Sequence, residues 1–249
     1  MTFDPNLEEK LSYSEDFEAL LAAFGSGSTN TVSAIGFLNP FSYPVVANNA
    51  GLRDGFDKWF VDGSLLCRLS NLFRSRRLDR VSFDFSSIAH GVLSYCNTKG
   101  LRIGLLGGTA EEVSSASRYL AERYPQASFV FVEHGYFPDN EIDEKIECLV
   151  NQGVQVAIVG LGTPKQEQFV LRLKENAKGP ALLFTCGGFL SQTGLSGDYY
   201  PNWVKRTGLR WLYRAMRHRH VRKRLVIDYP KFVVTYLASG VWLSIVKKG

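Results

Sequence analysis

Four short apolar runs decide the fold: LRIGLLGG at residues 101–108, ASFVFVEHG at 127–135, VQVAIVGLG at 154–162 and PALLFTCGG at 180–188. Charged segments of helix length separate them. Short strands that alternate with helices are typical of a parallel sheet built from βαβ units. Ligands of such sheets bind beyond the carboxyl ends of the strands. The sequence therefore predicts an α/β fold. Three of the runs have two glycines at this end, at Gly107-Gly108, Gly160/Gly162 and Gly187-Gly188.

Two earlier apolar runs also end in polar residues. TVSAIGFLNPFSYPVV at residues 31–46 predicts a strand that stops at Asn39, and Asp62-Gly63 closes the run WFV. An Asp-Gly pair is usually a plain turn, which is the favoured interpretation of this motif alone. The alternative is that Asp62 takes a proton from an attacking hydroxyl. Arg80 and Asp84, four residues apart, are by default a solvated or mutually paired couple.

The glycine turns carry helix-start signals. After Gly107-Gly108, Thr109 and Glu112 form a capping-box pattern, so the turn either holds a ligand or only ends the strand. In GLGTPKQE, at residues 160–167, Thr163 is the expected N-cap with Gln166 at the capping-box position. Helix initiation does not explain Lys165 and Glu167, which are candidate ligand contacts beside Gly162. Neither GxGxxG nor GxxxxGK[ST] occurs, which disfavours a dinucleotide enzyme and a Walker-type ATPase.

Charge divides the chain into two parts. Its 249 residues are 45% hydrophobic and 21% charged, which excludes collagen-like, disordered and disulfide-scaffold proteins. Residues 1–198 contain 17 Lys+Arg and 23 Asp+Glu, whereas residues 199–249 contain 12 Lys+Arg and only Asp228. We expect a core at 1–198 and a basic, amphipathic, helical C-terminal appendage at 199–249 that meets an anionic partner.

The appendage narrows the choice of partner. Nine basic residues lie between Lys205 and Arg224 without one carboxylate, and their repulsion favours a diphosphate, an anionic membrane or nucleic acid as counter-charge. The apolar run 232–246 that follows favours a membrane surface, although it is shorter than the ~20 residues of a spanning helix.

The cysteine spacing and the N-terminal sequence indicate the cellular compartment in which the protein is expected. Four cysteines occur without CxxC spacing or a histidine cluster, so neither a zinc site nor a redox pair is predicted. The polar N-terminus lacks the apolar core of a signal peptide, which predicts a cytoplasmic protein.

The order of several sequence motifs resembles that of a known family. FLNPFSY, Asp62-Gly63, RVSFDFSSIA, IGLLGGT, VGLGTPKQE, FTCGGFLSQTG and YPNWVKRTGLRWLYR follow one another as in the WecG/TagA/CpsF glycosyltransferases. The chain resembles this family, and within it the branch that acts in exopolysaccharide biosynthesis. The resemblance implies a Rossmann-like core, mostly parallel and flanked by helices. It also implies inverting transfer of a sugar from a UDP donor to a polyprenyl-diphosphate-linked saccharide.

The resemblance also implies roles for individual residues. Asp62 matches the family's proposed catalytic base, Asn39 a site asparagine, and Gln166 with Glu167 a donor-site pair. Arg214 matches an appendage arginine implicated in diphosphate contact. The predicted substrate-binding residues are Asn39, Arg80, Gly107, Gly108, Gly162, Lys165, Gln166, Glu167, Arg214, Arg222 and Arg224.

The expected chemistry needs no metal or other cofactor. No DxD motif occurs, and arginines can stabilise the charge on the leaving UDP. The resemblance to the exopolysaccharide branch implies glucose as the sugar, with N-acetylmannosamine or its uronic acid as the alternative. The expected partners are the UDP-sugar, the lipid-linked acceptor, an anionic membrane to which the protein binds peripherally on the inner face, and a possible second copy. The alternatives of other classes are a polyanion- or RNA-binding module and, less favoured, a dehydrogenase.

Overall fold

A parallel sheet of six strands forms the centre of the protein. The computed structural model describes residues 3–25, 31–194 and 227–246, and the strands within them follow the order β2-β1-β6-β5-β3-β4. The strands are β1 (Val32–Leu38), β2 (Lys58–Val61), β3 (Arg102–Gly107), β4 (Ser128–Glu133), β5 (Val156–Gly160) and β6 (Ala181–Thr185). All four apolar runs are strands, and the predicted Rossmann-like α/β fold is confirmed.

Helices connect and cover the strands. They are α1 (Pro5–Glu9), α2 (Ser14–Gly25), α3 (Ser42–Ala47), α4 (Ala50–Gly55), α5 (Ser64–Ser70), α6 (Ala89–Lys99), α7 (Ala110–Arg123), α8 (Ile142–Asn151), α9 (Lys165–Asn176), α10 (Phe189–Gly194) and α11 (Tyr229–Val246). Short 3₁₀ turns lie at Asn71–Phe73 and Asp139–Glu141.

The sheet is buried on both faces. Alternate residues of a strand point to opposite sides: in β1, Ala34 and Leu38 join one apolar cluster, whereas Ile35 and Phe37 join the other. Burial on both sides explains why the strands read as continuous apolar runs rather than as alternating patterns.

The C-terminal helix α11 belongs to the packed core. Phe232 and Tyr236 are buried, and both rings contact Tyr43 of α3. The Tyr236 hydroxyl lies 2.6 Å from Glu8 Oε1 and 3.0 Å from Ser70 Oγ. Both the apolar ring contacts and the polar contacts of the Tyr236 hydroxyl therefore hold α11 on the core.

Two sequence expectations concern this end of the chain. The division at residue 198 stays a prediction, because residues 195–226 lie outside the described part. In the residues that are described, no helix combines the length and the apolar character needed to cross a membrane.

Candidate active site

Asn39 and Asp62 stand side by side at the carboxyl edge of the sheet. β1 and β2 are paired with Leu38 opposite Val61, so the residues that follow these strands are neighbours. The Asp62 backbone N–H donates to the Leu38 carbonyl at 2.7 Å, and its side chain is 37% exposed. Gly63 leaves the strand with φ +95°, a conformation that favours glycine. The Asp-Gly turn therefore also presents a carboxylate at the strand end.

The side chain of Asn39 shapes the start of α3. Its Oδ1 accepts the backbone N–H groups of Phe41 at 2.9 Å and Ser42 at 3.1 Å. These bonds fix the orientation of the amide, so Asn39 is held next to Asp62 by the same contacts that begin the helix.

Arg80 joins Asp62 to Asp84. Its Nη2 lies 2.6 Å from Asp84 Oδ2 and 3.4 Å from Asp62 Oδ1. Of the two alternatives for Arg80 and Asp84, solvated or mutually paired, the structure shows the pair. The contact of Arg80 with Asp62 has no signal in the sequence because the two residues lie in separate segments.

Asp84 is itself held by its surroundings. Ser82 Oγ donates to its Oδ2 at 2.8 Å, and the Ser86 backbone N–H donates to its Oδ1 at 2.8 Å. Burial alone would raise the pKa of Asp84, but the bonds from Ser86 and the charge of Arg80 outweigh it and hold that pKa below its usual value. Asp84 therefore anchors the guanidinium that faces Asp62.

Three glycine turns bring backbones into close approach at the same edge. A Cβ on Gly107 would lie 2.5 Å from the Gly160 carbonyl oxygen, and one on Gly160 would lie 2.5 Å from that of Gly187. Gly107 also has φ +146° and Gly108 φ +71°. Only glycine fits these positions, which accounts for the glycines that end the runs.

The Gly107-Gly108 turn leads into a capped helix, as predicted. The Thr109 backbone N–H donates to Glu112 Oε2 at 2.8 Å, and the Glu112 backbone N–H donates to Thr109 Oγ1 at 3.2 Å. Ser191 Oγ of α10 donates to the same Glu112 oxygen at 2.8 Å. The turn is thus tied to the loop after β6 as well as to its own helix.

The predicted cap at Thr163 is wrong. α9 begins at Lys165 with Pro164 in the N-cap position, and the Thr163 hydroxyl donates to Glu167 Oε1 at 3.0 Å instead. Gln166 Nε2 donates to the same oxygen at 2.8 Å. Glu167 is fully buried, so its carboxylate needs these donors, and the Thr163 side chain is turned to Glu167 and makes no cap to the backbone N–H groups of α9.

Three buried oxygens near the start of α9 and the end of β6 have no partner among the described residues. They are Gln166 Oε1, Glu167 Oε2 and Thr185 Oγ1. Burial raises the pKa of Glu167, and the bonds from Gln166 and Thr163 oppose this only in part. Buried oxygens without partners are costly unless a ligand or water meets them.

Lys165 points elsewhere in this structure. Its Nζ lies 3.0 Å from both the Phe137 carbonyl oxygen and Asp139 Oδ1. The ammonium thus fastens α9 to the loop after β4, and its predicted contact with substrate stays a prediction. In contrast, a Cβ on Gly162, where φ is +77°, would meet nothing within 4 Å, so this turn borders open space.

The remaining predicted site residues are not in the described part of the chain. Arg214, Arg222 and Arg224 lie outside the described residues. Within residues 3–25, 31–194 and 227–246, no group of three or more His, Cys, Asp or Glu residues is placed to hold a metal ion.

Comparison with known proteins places this chain in a family. The model of the glycosyl transferase WecG/TagA/CpsF family matches residues 9–244. The chain belongs to this family. It is therefore a glycosyltransferase, as the resemblance implied, and the hypotheses of a polyanion-binding module and of a dehydrogenase are disfavoured.

Two relatives of this transferase have names that state the transferred sugar and the lipid-linked acceptor. It is 36% identical to the UDP-Gal:alpha-D-GlcNAc-diphosphoundecaprenol beta-1,4-galactosyltransferase of Shigella boydii over 204 residues, which make up 82% of this chain and 85% of the relative. It is 30% identical to the N-acetylglucosaminyldiphosphoundecaprenol N-acetyl-beta-D-mannosaminyltransferase of Staphylococcus aureus over 115 residues, 46% of this chain and 44% of the relative.

Proposed function

We propose that this transferase moves a hexose from a UDP-sugar onto a polyprenyl-diphosphate-linked saccharide, with inversion at the anomeric carbon, in exopolysaccharide biosynthesis. The observation that carries the proposal is the carboxylate of Asp62, about a third exposed at the carboxyl edge of the sheet beside Asn39 and Arg80. A base in this place can serve a substrate that lies along the edge.

Asp62 acts in the proposed reaction as general base. Its carboxylate takes the proton of an acceptor hydroxyl while that oxygen attacks the anomeric carbon, and the bond to UDP breaks with its electron pair on the diphosphate. Attack on the face opposite UDP inverts the configuration. Arg80, kept in place by Asp84, orients the Asp62 carboxylate.

The names of the relatives support donor, acceptor and stereochemistry. The Shigella relative uses UDP-Gal and a diphosphoundecaprenol acceptor and forms a beta linkage. Sugars in UDP-Gal and UDP-glucose are alpha-linked, so a beta product requires inversion. The same relative favours galactose as the donor sugar, while glucose remains the expectation from the resemblance to the exopolysaccharide branch.

Positive charge for the leaving UDP comes, in this proposal, from arginines rather than from a metal. The sequence contains no DxD motif, and nine basic residues lie between Lys205 and Arg224. Guanidinium groups bind phosphate oxygens bidentately and stabilise developing negative charge. Arg214, Arg222 and Arg224 are the residues we assign to this role.

The outer side of α11 supports peripheral attachment to a membrane. Val234, Val241 and Ile245 are more than half exposed and lie about 180–220° around the helix from Phe232. One side of α11 is thus packed on the core while the other offers apolar side chains to the surroundings. Together with the basic segment before it, such a surface suits an anionic bilayer.

The deciding experiment is a donor panel with a defined acceptor. The purified chain is incubated with undecaprenyl-diphosphate-linked GlcNAc and one of three donors: UDP-galactose, UDP-glucose or UDP-N-acetylmannosamine. The mass of the lipid product is determined by mass spectrometry, and its linkage is assigned by NMR. We expect a beta-linked hexose product, and the amount formed should be the same with and without EDTA. The proposal would be contradicted if no product formed with any of the three donors, or if the product carried an alpha linkage.

A further inference from the structure

An exposed leucine stands on a turn of the core beside α11. Leu72 lies in the 3₁₀ turn Asn71–Phe73 that follows α5, and its side chain is 67% exposed. Among the large aliphatic side chains outside α11 that the structure describes, it is the most exposed. An isolated leucine on a surface is ordinary, so what adjoins it decides whether it belongs to a contact surface.

The turn that carries Leu72 is held on both sides. Asn71 Nδ2 donates to the Leu78 carbonyl at 3.0 Å, and the Leu78 backbone N–H donates to Asn71 Oδ1 at 2.7 Å. On the other side Phe73 packs on α11, where a Cβ on Gly240 would lie 2.5 Å from the Phe73 ring. Leu72 is therefore exposed on a fixed turn, one residue from the contact with α11.

The apolar surface continues onto α11. Val241 and Trp242 directly follow Gly240 and are each 51% exposed, and Ile245 one turn later is 67% exposed. Leu72 borders the contact between turn and helix on one side, and these residues border it on the other. Such a contiguous apolar surface, unlike a single exposed leucine, indicates a partner.

Unpaired positive charge surrounds the leucine. Residues 68–77 contain four arginines and no carboxylate. Two of the arginines pair with glutamates of α1 and α2. The other two, Arg68 and Arg77, are exposed, and no ion pair joins them to a carboxylate within the described ranges. An apolar tip between cations of this kind fits an anionic bilayer, which offers hydrocarbon and phosphate together.

We propose that residues 68–77 form a second contact with the anionic membrane, in which Leu72 enters the headgroup region while Arg68 and Arg77 bind lipid phosphates. This inference rests on the proposed function, since it assumes the peripheral attachment through α11. A second copy of the chain could cover Leu72 but would leave the two arginines without counter-charge unless it brought carboxylates. The bilayer meets both requirements at once.

A second contact fixes the orientation of the active site. Attachment through one helix leaves the core free to turn about that helix, whereas two contacts hold one side of the molecule on the surface. Asp62 and Leu72 are joined by α5 and its turn, which at 1.5 Å per residue separate them by roughly 15 Å. The proposed base is thereby kept close to the surface where the diphosphate of the lipid-linked acceptor lies.

The test measures binding of the full chain to phosphatidylcholine vesicles with and without phosphatidylglycerol. We expect Leu72→Ser and Arg77→Ala each to lower partition onto the anionic vesicles about 5-fold. The effect of Arg77→Ala should vanish in high salt, and that of Leu72→Ser should persist. Val132→Ser on β4, at the opposite edge of the sheet, and Lys99→Ala at the end of α6, on the opposite face from α11, are matched controls and should bind like wild type.

Activity provides a second measurement. With the acceptor embedded in anionic vesicles, the rate of Leu72→Ser should fall with the fraction of enzyme bound, and with acceptor in detergent micelles it should equal the wild-type rate. If both variants bound vesicles like wild type, the inference would be overturned while α11 remained the attachment. A loss of dimer on light scattering in Leu72→Ser, with vesicle binding unchanged, would assign the leucine to a second copy. A wild-type chain that binds neither vesicle would refute the peripheral attachment of the proposed function itself.

Discussion

Three residues from separate segments make up the proposed catalytic end of the site. Asn39 follows β1, Asp62 follows β2, and Arg80 comes from the stretch after α5. Each has an ordinary structural task as well: Asn39 begins a helix, Asp62 starts a turn, and Arg80 pairs with Asp84. Their proximity, with Arg80 Nη2 3.4 Å from Asp62, distinguishes them from other turn and surface residues.

Replacing the proposed base should separate chemistry from binding. Asp62→Asn keeps the shape of the side chain but cannot accept a proton, so kcat should fall about 10²- to 10⁴-fold, with UDP affinity nearly unchanged. Steady-state kinetics and UDP titration check this. Asp54→Asn, a surface carboxylate paired with Lys10 and Arg53, is the matched control and should retain activity. A fully active Asp62→Asn variant would remove Asp62 from the role.

The buried carboxyl of Glu167 predicts a pH dependence of stability. Its pKa is raised on folding, so the folded protein holds this proton more tightly than the unfolded chain does. Stability from this group is complete below the unfolded pKa of about 4.3 and is lost as pH rises through the folded pKa. Glu167→Gln, which has no charge to bury, should therefore gain in stability relative to wild type as pH increases.

Urea unfolding at a series of pH values measures this effect. The difference in unfolding free energy between Glu167→Gln and wild type should grow as the pH rises above the unfolded pKa of about 4.3. Glu147→Gln, on the exposed side of α8, should show no such trend. A difference that stays constant with pH would mean that Glu167 carries no burial cost as a carboxylate.

At the scale of elements, the carboxyl ends of β3, β5 and β6 meet backbone to backbone. Gly107, Gly160 and Gly187 form a row in which each closely approaches the next. Their packing removes side chains from the centre of the edge and leaves the N–H groups of the turns near the ligand space.

A methyl group placed in this row should be costly. Gly107→Ala sets a Cβ 2.5 Å from the Gly160 carbonyl oxygen at a φ of +146°, so a strand end must shift. We expect a loss of about 1–3 kcal/mol in unfolding free energy, measured by urea titration. Gly91→Ala, where a Cβ meets nothing within 4 Å inside α6, should instead be neutral or stabilise by up to about 1 kcal/mol. Equal behaviour of the two variants would argue against the close approach.

At the scale of the whole molecule, one buried polar cluster joins the two ends of the chain. Tyr43 and Tyr236 both donate to Glu8 Oε1, at 2.8 and 2.6 Å, and Arg74 Nη2 lies 2.9 Å from Glu8 Oε2. α1, α3 and α11 thus share a single carboxylate. Because Asn39 bonds the backbone N–H groups of Phe41 and Ser42 at the start of α3, the placement of α11 is coupled through this cluster to the edge that carries the site.

Removing one hydroxyl should weaken this link. Tyr236→Phe keeps the buried ring but loses the bonds to Glu8 and Ser70, which should lower the unfolding free energy by about 1–3 kcal/mol. Tyr136→Phe removes an exposed hydroxyl and is the matched control. Hydrogen exchange of α11 amides should rise in the first variant and not in the second. Unchanged stability and exchange would mean that α11 is held by apolar contacts alone.

Most of the fold could be predicted from local patterns in the sequence. Continuous apolar runs, helix-length spacers and terminal glycines depend on neighbouring residues, and they predict a parallel sheet and its ligand edge. Local patterns gave the wrong prediction where a side chain bonds another side chain and not the backbone. Thr163 has the sequence of a cap, yet its hydroxyl donates to Glu167, because a buried carboxylate is costly without donors, whereas the N–H groups at a helix start near the surface can bind water.

The sequence by itself determined the family, the α/β class, the glycine turns and the candidates Asn39, Asp62, Arg80, Gln166 and Glu167. Only the tertiary structure decided that Arg80 reaches Asp62, that Lys165 turns to the loop after β4, and that Leu72 is exposed beside α11. It also seated α11 on the core through Tyr236 and Glu8, which are 228 positions apart. Such contacts form between segments that have no order relative to each other until the chain has folded, so no local pattern encodes them.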